Sequence, residues 1–222
     1  MIYEYRYHLI FYKGNMPIFY HKKTHKRFFF IHIPRTAGRF LLENFRENGY
    51  NIEHHLTKKI LEEKDVNDYL CECQDKIENG HAHYSHYNKW KNINGLSSIA
   101  VVRNPVDKFF SSSFPLAKKY DQSYLESWIN FERVFLIQTK YKSSWWLPQH
   151  EFISPHTKIW KYENGFGNNF CDWISNIISI PFSIKIKTYT KSNYDELIFK
   201  KSKALINNIK KFYYQDFQLF NY

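Results

Sequence analysis

Two runs of consecutive apolar residues organise this chain. The first, Phe28-Phe29-Phe30-Ile31, breaks at His32-Ile33-Pro34-Arg35-Thr36-Ala37-Gly38-Arg39, after which Phe40, Leu41, Leu42 and Phe45 resume at helical spacing and Gly49 supplies a stop. An unbroken apolar run reads as a strand buried on both faces, and the later spacing reads as an amphipathic helix. Between them lies a short polar loop with two arginines. The first amides of a helix have no internal acceptors and sit at the positive end of its dipole, so such a loop can wrap an anionic group. Taken alone, the pattern is equally that of an ordinary strand–turn–helix.

The second run, Ser98-Ile99-Ala100-Val101-Val102, predicts another buried strand and passes directly into Arg103-Asn104-Pro105-Val106-Asp107-Lys108-Phe109-Phe110-Ser111. Pro105 suits the first turn of a helix, which places Ser111 two turns along, where its hydroxyl can share an anion with a guanidinium at the strand end. Two predicted strands therefore end in anion-binding chemistry.

The rest of the chain alternates in the same way. An extended piece is expected at Tyr50 to His54. Thr57 caps a predicted helix with Ile60, Leu61, Tyr69, Leu70, Cys73 and Ile77 on one face and Gly80 as its stop. Helical pattern returns from Val106 and from Phe131 to Thr139, a strand is expected at Lys158 to Tyr162, and a last helix at Asp195 to Phe212. This alternation predicts an α/β protein with a mostly parallel central sheet and helices on both faces, a class that binds ligands at the carboxyl ends of its strands.

With these elements in order, the sequence resembles the sulfotransferases that use 3′-phosphoadenosine-5′-phosphosulfate (PAPS), in the carbohydrate branch that includes the heparan and chondroitin enzymes. The family's 5′-phosphosulfate loop looks like His-Ile-Pro-Lys-Thr-Ala-Gly-Thr-Ser, matched here by His32 to Phe40; its 3′-phosphate element looks like Arg-Asp-Pro followed by Ser at the interval seen between Arg103 and Ser111. Gly80-His81 stands where the family often carries its catalytic base. Trp146-Leu147-Pro148-Gln149, Ile159-Trp160-Lys161-Tyr162-Glu163 and Tyr213 to Phe220 are similar to further family segments, so the likeness runs from about residue 28 to the end. It implies a P-loop-like three-layer α/β/α fold and transfer of a sulfuryl group from PAPS to a hydroxyl, with 3′,5′-ADP as product and no metal. Arg35 would face the leaving-group oxygen, with Thr36, Ala37, Gly38, Arg39 and Phe40 lining the 5′ cradle, and Arg103 and Ser111 would hold the 3′-phosphate. Lys191 and Ser192, in a polar segment before the last helix, would reach over the nucleotide. The chain departs from the pattern at Arg35, where the family has lysine, and at Arg39-Phe40, where it has small hydroxyl residues. Arginine is a planar fork rather than a point charge, so charge is kept and geometry is not.

Sulfuryl transfer needs a base at the acceptor. His81 is the first candidate and His83 the second, since an extended chain aims both to one side. A structural role is the alternative for either, as it is for His86, and Glu53 or Glu151 are carboxylate alternatives. Three nearby histidines could also suggest a metal, but no acidic partner adjoins them. Trp145 and Trp146, beside Pro148-Gln149-His150, form an aromatic and polar stretch suited to stacking on a sugar; Trp145, Trp146, Gln149 and His150 are the candidate acceptor contacts, with burial in the core as the competing reading.

Composition adds bounds. At 222 residues with no Gly/Ser- or Pro-rich linker, the chain reads as one domain, with a core from about 28 to 222 and an aromatic extension at 1–27. A formal charge of +11 and a pI near 9.4 point to acidic partners. The nucleotide and an acidic glycan fit, while the cluster Lys22 to Arg27 reads as a solvated edge. Met1 to Tyr12 is interrupted by Glu4, Arg6 and His8, and no run has the length of a membrane span, so the expectation is a soluble, cytoplasmic or otherwise intracellular protein. Three cysteines without a CxxC pair support neither a disulfide framework nor zinc. A nucleotide kinase is the nearest rival enzyme, but Pro34 to Phe40 lacks the first glycine and the lysine of a Walker loop. A basic nucleotide- or nucleic-acid-binding protein without catalysis is the rival outside enzymes.

Overall fold

The computed structural model describes residues 18–54, 95–117, 144–186 and 203–222. Among the described residues the sheet has five strands: β1 (Ile18–His21), β2 (Arg27–Ile31), β3 (Tyr50–His54), β4 (Ser98–Val102) and β5 (Lys158–Lys161), in the order β3-β1-β2-β4-β5. β2, β4 and β5 run parallel, with Ile31 opposite Ala100 and Val102 opposite Lys161, so the loops that leave these strands emerge at one edge. β1 is antiparallel to both its neighbours. The protein is therefore α/β with a mixed sheet and a mostly parallel core.

Period-two alternation decides what each strand buries. Phe28 and Phe30 of β2 and Ile99 and Val101 of β4 enter one apolar cluster; Phe29, Ile31, Ala100 and Val102 enter another on the opposite face. The first cluster is completed by α1 (Gly38–Glu47), through Phe40, Leu41, Leu42 and Phe45, and by α3 (Asn168–Ile178), through Phe170, Ile174 and Ile178. The second receives Phe152, from the 3-10 turn Gln149–Phe152, and Phe220, from α5 (Tyr214–Phe220). The remaining helices are α2 (Pro105–Ala117), which packs on α4 (Lys203–Phe212).

Several expectations meet the structure closely. β4 has the expected bounds, β5 ends one residue early, and α1 stops before Gly49, which adopts a φ of 87° that a side chain would oppose. The helices expected from Thr57 and at Phe131 to Thr139 lie outside the described residues. Two corrections concern bounds. The core does not begin at residue 28, because Ile18 and Phe19 of β1 are fully buried between β2 and β3, so part of the expected extension belongs to the sheet. The last helix does not end the packing at Phe212 either: the chain turns at buried Tyr213 and continues as α5. Lys22 to Lys26 form an exposed turn between β1 and β2 and Arg27 opens β2, also exposed, so the cluster is solvated as expected.

Two asparagines, Asn44 within α1 and Asn48 at its carboxyl cap, shape the surroundings of the site. The Asn44 carboxamide is fully buried; it donates to the Phe40 carbonyl and accepts from the amides of Lys185 and Ile186. Asn48 donates to the Ser183 carbonyl and accepts from its amide. Together they tie Ser183 to Ile186 along the helix, pairing backbone groups that no helix or strand bond takes up.

Candidate functional site

The loop between β2 and α1 is built tightly. The hydroxyl of Thr36, fully buried, donates to the Ile33 carbonyl at 2.9 Å, and Ala37 accepts the first helical bond, from the amide of Leu41 at 3.0 Å. Arg35 and Ala37 both adopt positive φ, 66° and 69°, a conformation that costs non-glycine residues on the order of 1 kcal/mol each and collects where a loop must present its backbone to a ligand. Gly38 is a steric requirement: a Cβ there would sit 1.8 Å from Nε2 of His32, whose ring stacks on Phe30. Arg39 is exposed, and Phe40 is buried beneath the loop.

At the neighbouring strand end, Asn104 caps α2, its carboxamide oxygen accepting from the amides of Val106 and Asp107 at 3.0 and 3.4 Å. Arg103 is 7% exposed; its guanidinium carbon lies 4.4 Å over the Tyr162 ring. Burial pushes the Arg103 pKa down, opposed by the charges of Tyr162, Asp107, Glu163 and Tyr222. The Glu163 carboxylate accepts from the Asn104 amide and the Tyr222 hydroxyl, both at 2.7 Å.

The two elements meet. Arg103 donates from Nη1 to the Arg35 carbonyl at 3.3 Å, and Arg35 donates from Nε to the Ser111 hydroxyl at 3.1 Å. Arg35, Arg103 and Ser111 thus form one cationic cluster at the carboxyl edge of the parallel strands, beside the amino ends of α1 and α2. Next to it opens a cavity of about 760 Å³, lined by Ala37 and Phe40 on one side and by Tyr162, Phe166, Cys171 and Phe182 on the other. That volume lies within the range of small-molecule sites, roughly 300–1,000 Å³.

The candidate acceptor contacts divide. Trp145 is half-buried, its ring 5.7 Å from the Arg35 guanidinium carbon. Trp146 and Gln149 face inward, as the competing reading of burial in the core has it, and not as open acceptor contacts: Trp146 is 2% exposed, and the fully buried Gln149 side chain accepts from the Arg103 amide at 2.8 Å and donates to the Arg103 carbonyl at 2.7 Å. His150 is partly exposed and bound through Nδ1 to Asp216 at 2.7 Å, which raises its pKa against the opposing effect of burial. It borders a second, smaller concavity with Glu151, Lys211 and Tyr214, and the Glu151 pKa is itself raised, mainly by burial. His81, His83, His86, Lys191 and Ser192 lie outside the described residues. Glu53 falls in β3.

Sequence reading missed the supports of the cluster. Asp216, fully buried, accepts from the amides of Gln149 and His150 and from the His150 ring. Lys108, also buried, donates to the carbonyls of Trp145 and Leu147 at 2.8 and 3.1 Å; desolvation lowers its pKa to about 8 despite the opposing charge of Asp216. Their one sequence signal is a charge set among aromatics, Lys108 before Phe109-Phe110 and Asp216 within Tyr213 to Phe220. Among the described residues no cluster of His, Cys, Asp and Glu is arranged to hold a metal, and no helix is long and apolar enough to cross a membrane. Comparison with protein-family models, with characterised proteins and with solved structures finds no match to this chain.

Proposed function

We propose that this chain is a PAPS-dependent sulfotransferase with a P-loop-like three-layer α/β/α fold, acting on an acceptor hydroxyl of a carbohydrate. The observation that carries the reading is the junction of its two anion-binding elements: Arg35 bonded to Ser111 and Arg103 bonded to the Arg35 carbonyl. A ligand with two separated anionic groups needs two such elements side by side, and the order and spacing of the motifs resemble those of the family that carries a phosphosulfate on one and a 3′-phosphate on the other.

In this reading Arg103 and Ser111 grip the 3′-phosphate. Ser111, already accepting from Arg35, keeps its own proton to donate to a phosphate oxygen. The loop amides and Arg35 face the phosphosulfate, where the guanidinium stabilises charge gathering on the bridging oxygen. The cavity beside Ala37 and Phe40 receives the base and ribose. His81, with His83 as second candidate, takes the proton of the acceptor hydroxyl as that oxygen bonds to sulfur; the sulfur–bridge bond breaks, its electron pair staying on the 5′-phosphate of 3′,5′-ADP. Positioning and electrostatics supply most of the acceleration.

Incubation with ³⁵S-labelled PAPS and a panel of uronic-acid and hexosamine glycans tests this. Label should pass to at least one glycan with equal release of 3′,5′-ADP. Magnesium ATP binding in preference to 3′,5′-ADP would favour a kinase instead, and salt-sensitive nucleic-acid binding that 3′,5′-ADP does not displace would favour a nucleic-acid-binding protein.

A further inference from the structure

Resting on that reading, we propose that the turn from Trp145 to His150 is a splint that sets the two guanidinium groups separately, Gln149 positioning Arg103 at the 3′-phosphate and Trp145 positioning Arg35 at the 5′ end. The Gln149 carboxamide meets the Arg103 main chain with one acceptor and one donor, at 2.8 and 2.7 Å, as a neighbouring strand would one residue beyond the end of β4. That pairing fixes the direction in which the Arg103 side chain leaves the backbone. Gln149 is itself fixed through its amide, which donates to Asp216 at 2.7 Å.

The other end is held as firmly. The Trp145 carbonyl accepts from Lys108 at 2.8 Å and from Ser112 at 3.1 Å, the Trp146 carbonyl accepts from the buried Tyr213 hydroxyl, and the Leu147 carbonyl accepts from Lys108 at 3.1 Å. Three successive carbonyls are thus taken by side chains from α2 and from the junction of α4 and α5. This leaves the Trp145 ring little freedom, and its ring lies 5.7 Å from the Arg35 guanidinium carbon. An aromatic face fixed there limits the rotamers of an arginine that a flexible loop side chain would otherwise sample, and preorganised charge is what transfer chemistry rewards. Gln149 and Trp145 are positioning residues, acting through the arginines rather than on the ligand.

A splint predicts two separable effects, whereas a packing role predicts one common effect. Calorimetry on the full chain with 3′,5′-ADP, 5′-AMP and 3′-AMP distinguishes them. The preference for 3′,5′-ADP over 5′-AMP reports the 3′-phosphate, and the preference over 3′-AMP reports the 5′-phosphate. Gln149→Glu, which keeps size but loses the donor to the Arg103 carbonyl, should cut the first preference tenfold or more and leave the second within twofold. Trp145→Leu should do the reverse, Trp145→Phe should retain the wild-type ratios, and Lys108→Met should follow Trp145→Leu. Equal weakening of all three nucleotides, or unchanged ratios, would overturn the splint. A wild-type chain with no preference for 3′,5′-ADP over 5′-AMP would overturn the functional reading itself. If Gln149→Glu does not fold, Gln149→Met takes its place, and if neither folds the Trp145 and Lys108 variants decide.

Discussion

The Nε of Arg35 donates to the hydroxyl of Ser111 at 3.1 Å, across 76 positions of sequence. One residue belongs to the loop after β2 and the other to the second turn of α2, so this bond joins the two strand-end elements into one cluster.

Arg103→Ala should weaken binding of both PAPS and 3′,5′-ADP by on the order of 2 kcal/mol, the scale of a charge-assisted contact, and Ser111→Ala should cost less. Titration calorimetry of the folded variants measures this. An unchanged affinity in Arg103→Ala removes the 3′-phosphate assignment.

Arg35→Ala should lower turnover by far more than the roughly tenfold it takes from 3′,5′-ADP affinity, since that product keeps the 5′-phosphate contact but lacks the sulfuryl group, and in the proposed reaction the guanidinium also meets charge that develops only in the transition state. Arg35→Lys should retain activity. Steady-state rates set beside product affinity separate the two effects, and equal losses in the alanine variant would make Arg35 only a nucleotide clamp.

Gly38→Ala should destabilise the fold by about 1–3 kcal/mol, the usual cost of overpacking, because the new methyl group lands on the His32 ring. Adding His32→Ala should return most of that loss. Urea denaturation of the two single variants and the double variant checks the coupling, and additive losses would show that the contact is not the cause.

Lys108 makes stability depend on pH in a direction that can be stated beforehand. Its pKa is about 8 in the fold and 10.5 when unfolded, so between those values the unfolded chain binds the proton that the folded chain has released. The cost of burying the cation is fully present below pH 8 and is relieved as pH rises. Relative to Lys108→Met, the wild-type chain should therefore gain stability from pH 8 to 9.5, with a slope approaching on the order of 1 kcal/mol per pH unit. Thermal melts across that interval read the difference; a flat difference would mean that Lys108 keeps its proton.

What the chain determines by itself is what local spacing can carry. Consecutive apolar residues at Phe28 to Ile31 and Ile99 to Val102 require strands buried on both faces, Phe40 to Phe45 at helical spacing requires a helix facing them, and Gly49 ends it. These periodicities act over one or two turns and survive in any tertiary setting, so both strands and the helix that follows the first were legible before the fold. Tertiary structure decided which polar groups went inside. Nothing near Gln149 in sequence announces that its carboxamide will pair with Arg103, 46 positions earlier, or that Asp216, 67 positions later, will receive its amide. Likewise Ile18 and Phe19 became core only because β3 and β2 closed on either side of β1. A buried hydrogen-bonding group is settled by whichever partner the folded chain brings to it, and that partner is distant in sequence, which is why the sequence left Trp146 and Gln149 open between acceptor contact and core, and only the fold placed them inside.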